Sequence, residues 1–337
     1  MIHYISCPII SYDVLGGIWM NRYSKLIHLV VFIVLISLTF NLDQNPFTVT
    51  HHNATLLPVH HETNNKSSLY DEIVEKSKEY YEAPENAYID RVWKKTPGRN
   101  GLKVNIDKSY EKMKKGKVFD ESLLVLEQIV PQISLTDLEP SPIFRGHPDK
   151  KAVAFLINVS WGEEYIPEIL NILNEQKVKA TFFIEGKWAK ENTNLVKMID
   201  EQGHTIGNHA YNHPDMARLS NEENANQITQ TNNIIEAIIG KTPKWFAPPS
   251  GSYTNGVVET AHHLKMETIM WTVDTIDWRN PSVSVMINRV ITNIHPGAMV
   301  LMHPTSPVAN GLEQMITELK ALGYQLNTVD TLLSSDR

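Results

Sequence analysis

The amino-acid sequence predicts an α/β protein: a distorted parallel (β/α)7-type barrel, preceded by a small α+β domain and an N-terminal hydrophobic anchor. From Lys151 to the end, short apolar runs alternate with segments of helical period in seven strand-helix repeats with short connections. This is the pattern of a parallel sheet that is closed or nearly closed. Ahead of it, residues 68–138 mix helical and alternating stretches, which reads as α+β. Further upstream, Leu26 to Phe40 is apolar almost throughout, with Arg22 and Lys25 before it.

The 337 residues suffice for one large domain and a smaller one with a real core. A net charge of −7 and a pI near 6.1 leave no basic field, which argues against nucleic acid as a partner and favours a neutral or mixed-charge substrate. Cys7 is the single cysteine. The chain therefore has no internal disulfide and no thiolate cluster, and any metal must take His, Asp, Glu or water ligands.

Residues 1–41 read as a signal peptide or signal anchor, a positive n-region followed by an apolar h-region. No Ala-x-Ala cleavage pattern follows, which leans towards an anchor holding the protein to the membrane, and Met20 offers an alternative start just before the charged n-region. Residues 42–67, rich in Asn, His, Thr and Ser, read as a flexible linker.

In the 68–138 domain, Leu69, Ile73 and Tyr80 place an amphipathic helix over 68–82, ended by Ala83-Pro84. Leu102 to Ile106 alternates as a strand, Asp107 caps a short helix through Lys115, and Leu123 to Val130 reads as a second strand. Glu139-Pro140-Ser141-Pro142 and Gly146-His147-Pro148 mark a linker over 139–150. In 151–337 the strands fall at Val153–Val159, Ala180–Ile184, His204–Gly207, Trp245–Ala247, Thr268–Val273, Ala298–Met302 and Gln325–Val329. Helices fall near Ile166–Gln176, Trp188–Gln202, Asn221–Ile239, Val257–Leu264, Val283–Asn293 and Leu312–Leu322.

Barrels of this kind do their chemistry at the C-terminal ends of the strands. Asn158, His209, His213, Ser250, Asp274, Asp277 and His303 all fall at such ends. His209 and His213, four apart, face one way if their backbone is helical and can then reach one metal at about 2.0–2.1 Å. The alternative is two surface histidines. Asp274-Thr275-Ile276-Asp277-Trp278 supplies two carboxylates and an aromatic wall, or else a capped loop over a buried Trp. His303 is either a core histidine satisfied by a carbonyl or a general acid tuned by a neighbouring Asp.

Taken together these pieces resemble the polysaccharide deacetylase family, also called NodB-like or carbohydrate esterase family 4, over about Lys150 to Leu333. The family's motifs, in order, are Thr-Phe-Asp-Asp-Gly, His-x-x-x-His, Arg-Pro-Pro-Tyr-Gly, Asp-x-x-Asp-Trp and Leu-x-His. Here they stand as Ile157-Asn158-Val159-Ser160-Trp161-Gly162, His209-Ala210-Tyr211-Asn212-His213, Ala247-Pro248-Pro249-Ser250-Gly251, Asp274-Thr275-Ile276-Asp277-Trp278 and Leu301-Met302-His303. The sequence is most similar to the spore- and wall-associated branch of Gram-positive bacilli, with its first and third motifs altered.

The resemblance implies a divalent metal, zinc or alternatively cobalt, held by His209 and His213, with Ser160 as a substitute third ligand. It implies His303 as the acid that protonates the leaving amine, Asp277 orienting its ring, Trp278 walling it in, and Asp274 in the same catalytic set. The backbone N–H of Ser250 would help hold the oxyanion, and Pro248, Pro249, Trp161 and Leu301 would line a substrate groove. Asn158 is read as standing in place of the base Asp, the anionic third ligand is missing, and Ala247 replaces the Arg that pairs with the base. The expected partner is a cell-wall polysaccharide, outside the cytoplasm of a bacterium. The activity implied is metal-assisted removal of N-acetyl groups from peptidoglycan or a GlcNAc polymer, weakened by loss of the base. The alternative is an inactive glycan-binding or scaffold protein at the cell surface.

Overall fold

The computed structural model describes residues 29–32 and 68–337. Residues 29–32 are helical and exposed; the remainder of the expected signal segment and the 42–67 linker lie outside the described residues. Among the described residues no helix is long and apolar enough to cross a membrane.

The chain from residue 68 opens with helix α1 (Ser68–Lys76), continued by a 3-10 turn over Ser77–Tyr80. A hairpin of β1 (Tyr88–Asp90) and β2 (Lys94–Thr96) follows, then β3 (Gly101–Val104) pairs antiparallel with β4 (Leu126–Ile129) across α2 (Ile106–Met113). Leu69, Ile73, Val104 and Met113 form the small core here. Asn105, not Asp107, caps α2: its side chain accepts the Lys108 N–H at 3.0 Å. Asp107 lies inside the helix and receives the Tyr70 hydroxyl instead. Lys95, fully buried, clasps this segment to the C-terminal half of the chain, its ammonium meeting Glu267 at 2.7 Å.

Eight strands then build one parallel sheet: β5 (Ala152–Val159), β6 (Thr181–Ile184), β7 (Thr205–Asn208), β8 (Trp245–Phe246), β9 (Glu267–Thr268), β10 (Val273–Asp274), β11 (Met299–Met302) and β12 (Gln325–Asn327). The order is β10-β11-β5-β6-β7-β8-β9, with β12 also on β5. The predicted strand Thr268–Val273 is split in two, and the split is informative. Its start pairs with β8 and its end with β11, so one extended run touches both ends of the strand order and curls the sheet into a distorted barrel. Between the two halves the Met270 N–H turns to Ile143 and the Thr272 N–H to Met299.

Helices α3 (Ile166–Glu175), α4 (Gly186–Glu191), α5 (Thr193–Glu201), α6 (Asn221–Ile239), α7 (Asn255–His263), α8 (Val283–Asn293), α9 (Ser306–Ala321) and α10 (Val329–Leu333) fill the crossovers and the end of the chain. The long helix predicted over Trp188–Gln202 breaks at Asn192, whose backbone leaves the helical region. Alternation along the strands decides which side chains enter the barrel. Val153, Phe155, Ile157 and Val159 of β5, with Phe182 and Ile184 of β6, pack under the helices, whereas Ala154, Leu156 and Phe183 point inward. Gly207 of β7 makes room for Phe183, because a Cβ there would stand 2.5 Å from its ring.

His204, just before β7, is buried, and its Nδ1 accepts the Ala180 N–H at 3.1 Å. Burial, with a smaller effect of Lys179, pushes its pKa from 6.5 down to about 4. The folded chain resists a proton that the unfolded chain accepts. Stability is therefore unaffected above pH 6.5 and falls as the pH drops towards 4, by about 3 kcal/mol in all. Urea unfolding of His204→Asn should accordingly lose about 2 to 3 kcal/mol less than the parent between neutral pH and pH 4.5.

Candidate active site

The first motif closes β5. Strand β5 ends at Val159, and Ser160-Trp161-Gly162 carry the chain over the barrel rim. Gly162 takes φ +82°, and a Cβ on it would fall 2.0 Å from the Pro304 carbonyl oxygen. Only glycine fits, and the close approach sets Trp161 against the loop after β11. There the Trp161 ring stacks on His303, with centroids 6.0 Å apart and planes 9° apart.

His303 follows β11 at the neighbouring edge of β5. Asp277, wholly buried in a 3-10 turn after β10, accepts the His303 backbone N–H at 3.2 Å and its Nδ1–H at 3.2 Å. It also accepts the Thr305 hydroxyl at 2.8 Å and the Thr275 hydroxyl. A carboxylate that only accepts fixes the His303 tautomer: the proton sits on Nδ1 and Nε2 keeps its lone pair. The His303 ring is thus held by a carboxylate, not by a backbone carbonyl.

His209 and His213 come together without a helix. The expected helical backbone is absent, since Ala210 and His213 have φ +60° and +56°. Helix α6 shapes the loop instead. Asn208 donates to the Ile228 carbonyl and to Asn232 at 2.8 Å and accepts the Ala210 N–H, while Gln227 accepts the N–H groups of Tyr211 and Asn212. The two rings meet edge to face with centroids 5.2 Å apart. His209 is buried and its Nδ1 lies 2.7 Å from the Ala247 carbonyl. A carbonyl cannot donate, so Nδ1 carries the proton and Nε2 offers a lone pair, as metal-binding imidazoles do. Burial, then the neighbouring His213, pushes the His209 pKa down to about 3, against an upward pull from Ala247. Burial also lowers that of His213. Both rings stay neutral at pH 7, the form that binds a metal.

These groups line a cavity of about 330 Å³. Asn158, Ser160, His209, His213 and Ser250 form one side, and Trp161, Asp274, Trp278, Leu301 and His303 the other. Asp277 lies behind His303 rather than on the cavity wall. Pro248 and Pro249, expected to line the groove, are buried beneath it; they bend the chain so that Ser250 reaches the rim with φ +54°. Trp271 also lines the cavity. In the predicted unbroken strand Thr268–Val273 it would share the face of Val273, which packs under the helices; the break between β9 and β10 turns it inward instead, and no periodicity in the sequence marks that. Asn158 Oδ1 and Ser160 Oγ are buried there, and neither makes a hydrogen bond of full geometry within the protein. Two neutral imidazoles with free lone pairs beside two such orphaned oxygens fit a divalent cation.

Gly162 also corrects the register of the first motif. Counted back from the glycine that the turn requires, the two motif carboxylates fall at Ser160 and Trp161. Asn158 lies two residues lower on the inner face of β5, level with Phe183.

A family model for polysaccharide deacetylases matches residues 145–269. A Bacillus cereus peptidoglycan-N-acetylglucosamine deacetylase is 33% identical over 199 residues, 58% of this chain and 72% of that one. The chain belongs to the polysaccharide deacetylase family. An uncharacterized protein of Bacillus subtilis, YlxY, is 49% identical over 315 residues, covering 94% of this chain and 99% of that one. Among solved structures, a CE4 family pseudoenzyme from Bacillus anthracis superposes with a TM-score of 0.75 at 50% identity, covering 81% of this chain and 97% of that one. A mutant of the same pseudoenzyme with restored enzymatic activity gives 0.75 at 49%, over 80% and 100%.

A second cluster, Glu85, His147 and Asp149, also brings three metal-ligating residue types together. His147 is already occupied, with Nδ1 accepting the Asp149 N–H at 3.2 Å and Nε2 3.3 Å from Glu85. It ties the first segment to the barrel and has no lone pair left for a metal.

Replacing Asp277 by Ala should strip four donors of their acceptor and cost about 3 kcal/mol in urea unfolding, with Asp277→Asn losing less because an amide oxygen still accepts.

Proposed function

We propose that this cavity binds an N-acetylated cell-wall glycan, peptidoglycan or a GlcNAc polymer, and that the chain serves as a glycan-binding member of its family whose hydrolytic step lacks a base. The observation that carries this is the tip of β5, where Ser160 and Trp161 present a hydroxyl and an indole at the positions of the motif's two carboxylates. Ala247, buried next to His209, correspondingly replaces the motif's Arg. An unpaired guanidinium at that depth would carry a large desolvation cost. The likeness to a CE4 family pseudoenzyme at 50% identity supports the reading.

Much of the binding half of the machinery is retained, the anionic metal ligand apart. Trp161 and Trp278 flank the cavity and are 46% and 52% exposed, offering flat apolar faces beside polar groups, the surface a sugar ring needs. The Ser250 backbone N–H, on a left-handed residue at the rim, is positioned for an acetamide oxygen. His209 and His213 would hold a divalent cation, zinc or cobalt, through their unprotonated nitrogens. Such an ion, when bound, polarises a carbonyl and lowers the pKa of water. His303 Nε2, held by Asp277, is placed to exchange a proton with a leaving amine. What no residue supplies at the β5 tip is a carboxylate to take the proton from an attacking water, a contribution of about 10²- to 10⁴-fold.

The intact His303–Asp277 pair favours a second reading, a slow deacetylase. Acetate release from GlcNAc oligomers, with and without zinc or cobalt, separates the two. The parent should bind the oligomers, with Trp161→Ala weakening binding several-fold, and should release acetate at background. The triple variant Ser160→Asp, Trp161→Asp, Ala247→Arg should gain release. Metal-dependent turnover by the parent that disappears in His303→Ala would establish the slow enzyme instead, and absence of oligomer binding would refute the glycan site.

A further inference from the structure

The cavity at the barrel rim is lined by no Lys and no Arg, and His209 and His213 on its wall are neutral. Its one formal charge is the carboxylate of Asp274, half-buried at the end of β10. Asp277, not Asp274, orients His303, so the chemistry described above leaves this carboxylate without a task. Asp274 Oδ1 accepts the Ile276 N–H at 2.8 Å. The second oxygen meets no donor of the protein, and among the described residues no cation pairs with Asp274.

Three indoles, those of Trp161, Trp271 and Trp278, line the same cavity of about 330 Å³. Trp271 is seated by Gly251, where a Cβ would stand 2.8 Å from its ring. Trp278 already carries a cation: the Arg279 guanidinium lies 4.7 Å from its centroid. An indole face is the negative side of its quadrupole, and aromatic faces grouped around a small space attract an organic ammonium. The other groups on the wall strengthen this bias. His303 Nε2 offers a lone pair, and the oxygens of Asn158 and Ser160 lack full hydrogen bonds. The donors, the Ser250 N–H and the indole N–H groups, carry no charge.

We propose that the cavity recognises a glycan residue whose N-acetyl group has already been removed, taking the free ammonium of a 2-amino sugar against Asp274 and the indole faces in preference to the acetamide. The inference rests on the reading of this cavity as a glycan site. Its ligand is the product of N-deacetylation, so the reaction that must supply it is the one the family is named for. Trp161 at a first-motif carboxylate position then exchanges a proton acceptor for one wall of the ammonium site.

Calorimetric titration of the full chain tests this with three GlcNAc tetramers: one fully acetylated, one with a single free amine, and one with a hydroxyl in place of that amine. A chelator keeps metal ions from competing. At about pH 6 the amine is protonated, and about 0.15 M salt screens surface charge beyond roughly 8 Å. The parent should bind the amine tetramer about tenfold more tightly than either of the others. Asp274→Asn, whose amide oxygen can still accept the Ile276 N–H, should bring the amine and hydroxyl tetramers level while melting with the parent. Equal binding of all three by the parent, or preference for the acetylated one, would overturn the inference and leave the glycan site standing. A preference that survives Asp274→Asn would overturn the assignment to Asp274. No binding of any tetramer would overturn the glycan reading as well.

Discussion

Strand β5 holds neighbours along its whole length: β11 on one edge, and β12 then β6 on the other. All eight of its residues are buried, so its register cannot slip by one without driving Val153, Phe155, Ile157 and Val159 into the barrel and Asn158 under the helices. That constraint places everything else. It puts Asn158 inside at the level of Phe183, brings Ser160 to the rim beside His209, and leaves Trp161 to turn over onto His303. The left-handed Gly162, backed against Pro304, finishes the strand at one possible length.

Charge burial divides the rim into a finished half and an unfinished one. Around Asp277 every demand is met: two hydroxyls, a backbone N–H and an imidazole converge on one carboxylate, so His303 is held in a single orientation and tautomer. Around His209 the opposite holds. The ring is neutral because burial and its neighbours resist a second proton, and the oxygens facing it at Asn158 and Ser160 are without full hydrogen bonds. Such a half is completed by a cation or a polar ligand.

Much of the fold was legible in the sequence because the signals were local. Helices Asn221–Ile239 and Val283–Asn293 fall where their apolar period and serine caps place them, and strands Val153–Val159 and Ala298–Met302 are right to within one residue. The misses share a cause. The hairpin at Tyr88–Thr96 is short, half exposed and without alternation, so only its antiparallel pairing defines it. The split of Thr268–Val273 reflects two different partners for one extended run, which no periodicity records. The helical reading of His209–His213 failed because the contacts that shape that loop come from Gln227 and Asn232 on α6, more than a dozen residues away.

By itself the sequence determined the order of the elements and the residue types at the strand ends: two histidines, an Asp–His pair, and a first motif emptied of its carboxylates. Tertiary structure alone decided which of these meet. Trp271 belongs to no motif and reads as an ordinary strand residue, yet the break between β9 and β10 turns it into the cavity that Asp274 also lines. Apolar period and caps act within a few residues and can be read along the chain. Such a break is fixed by hydrogen bonds to strands more than twenty residues away, so it exists only once the sheet has formed.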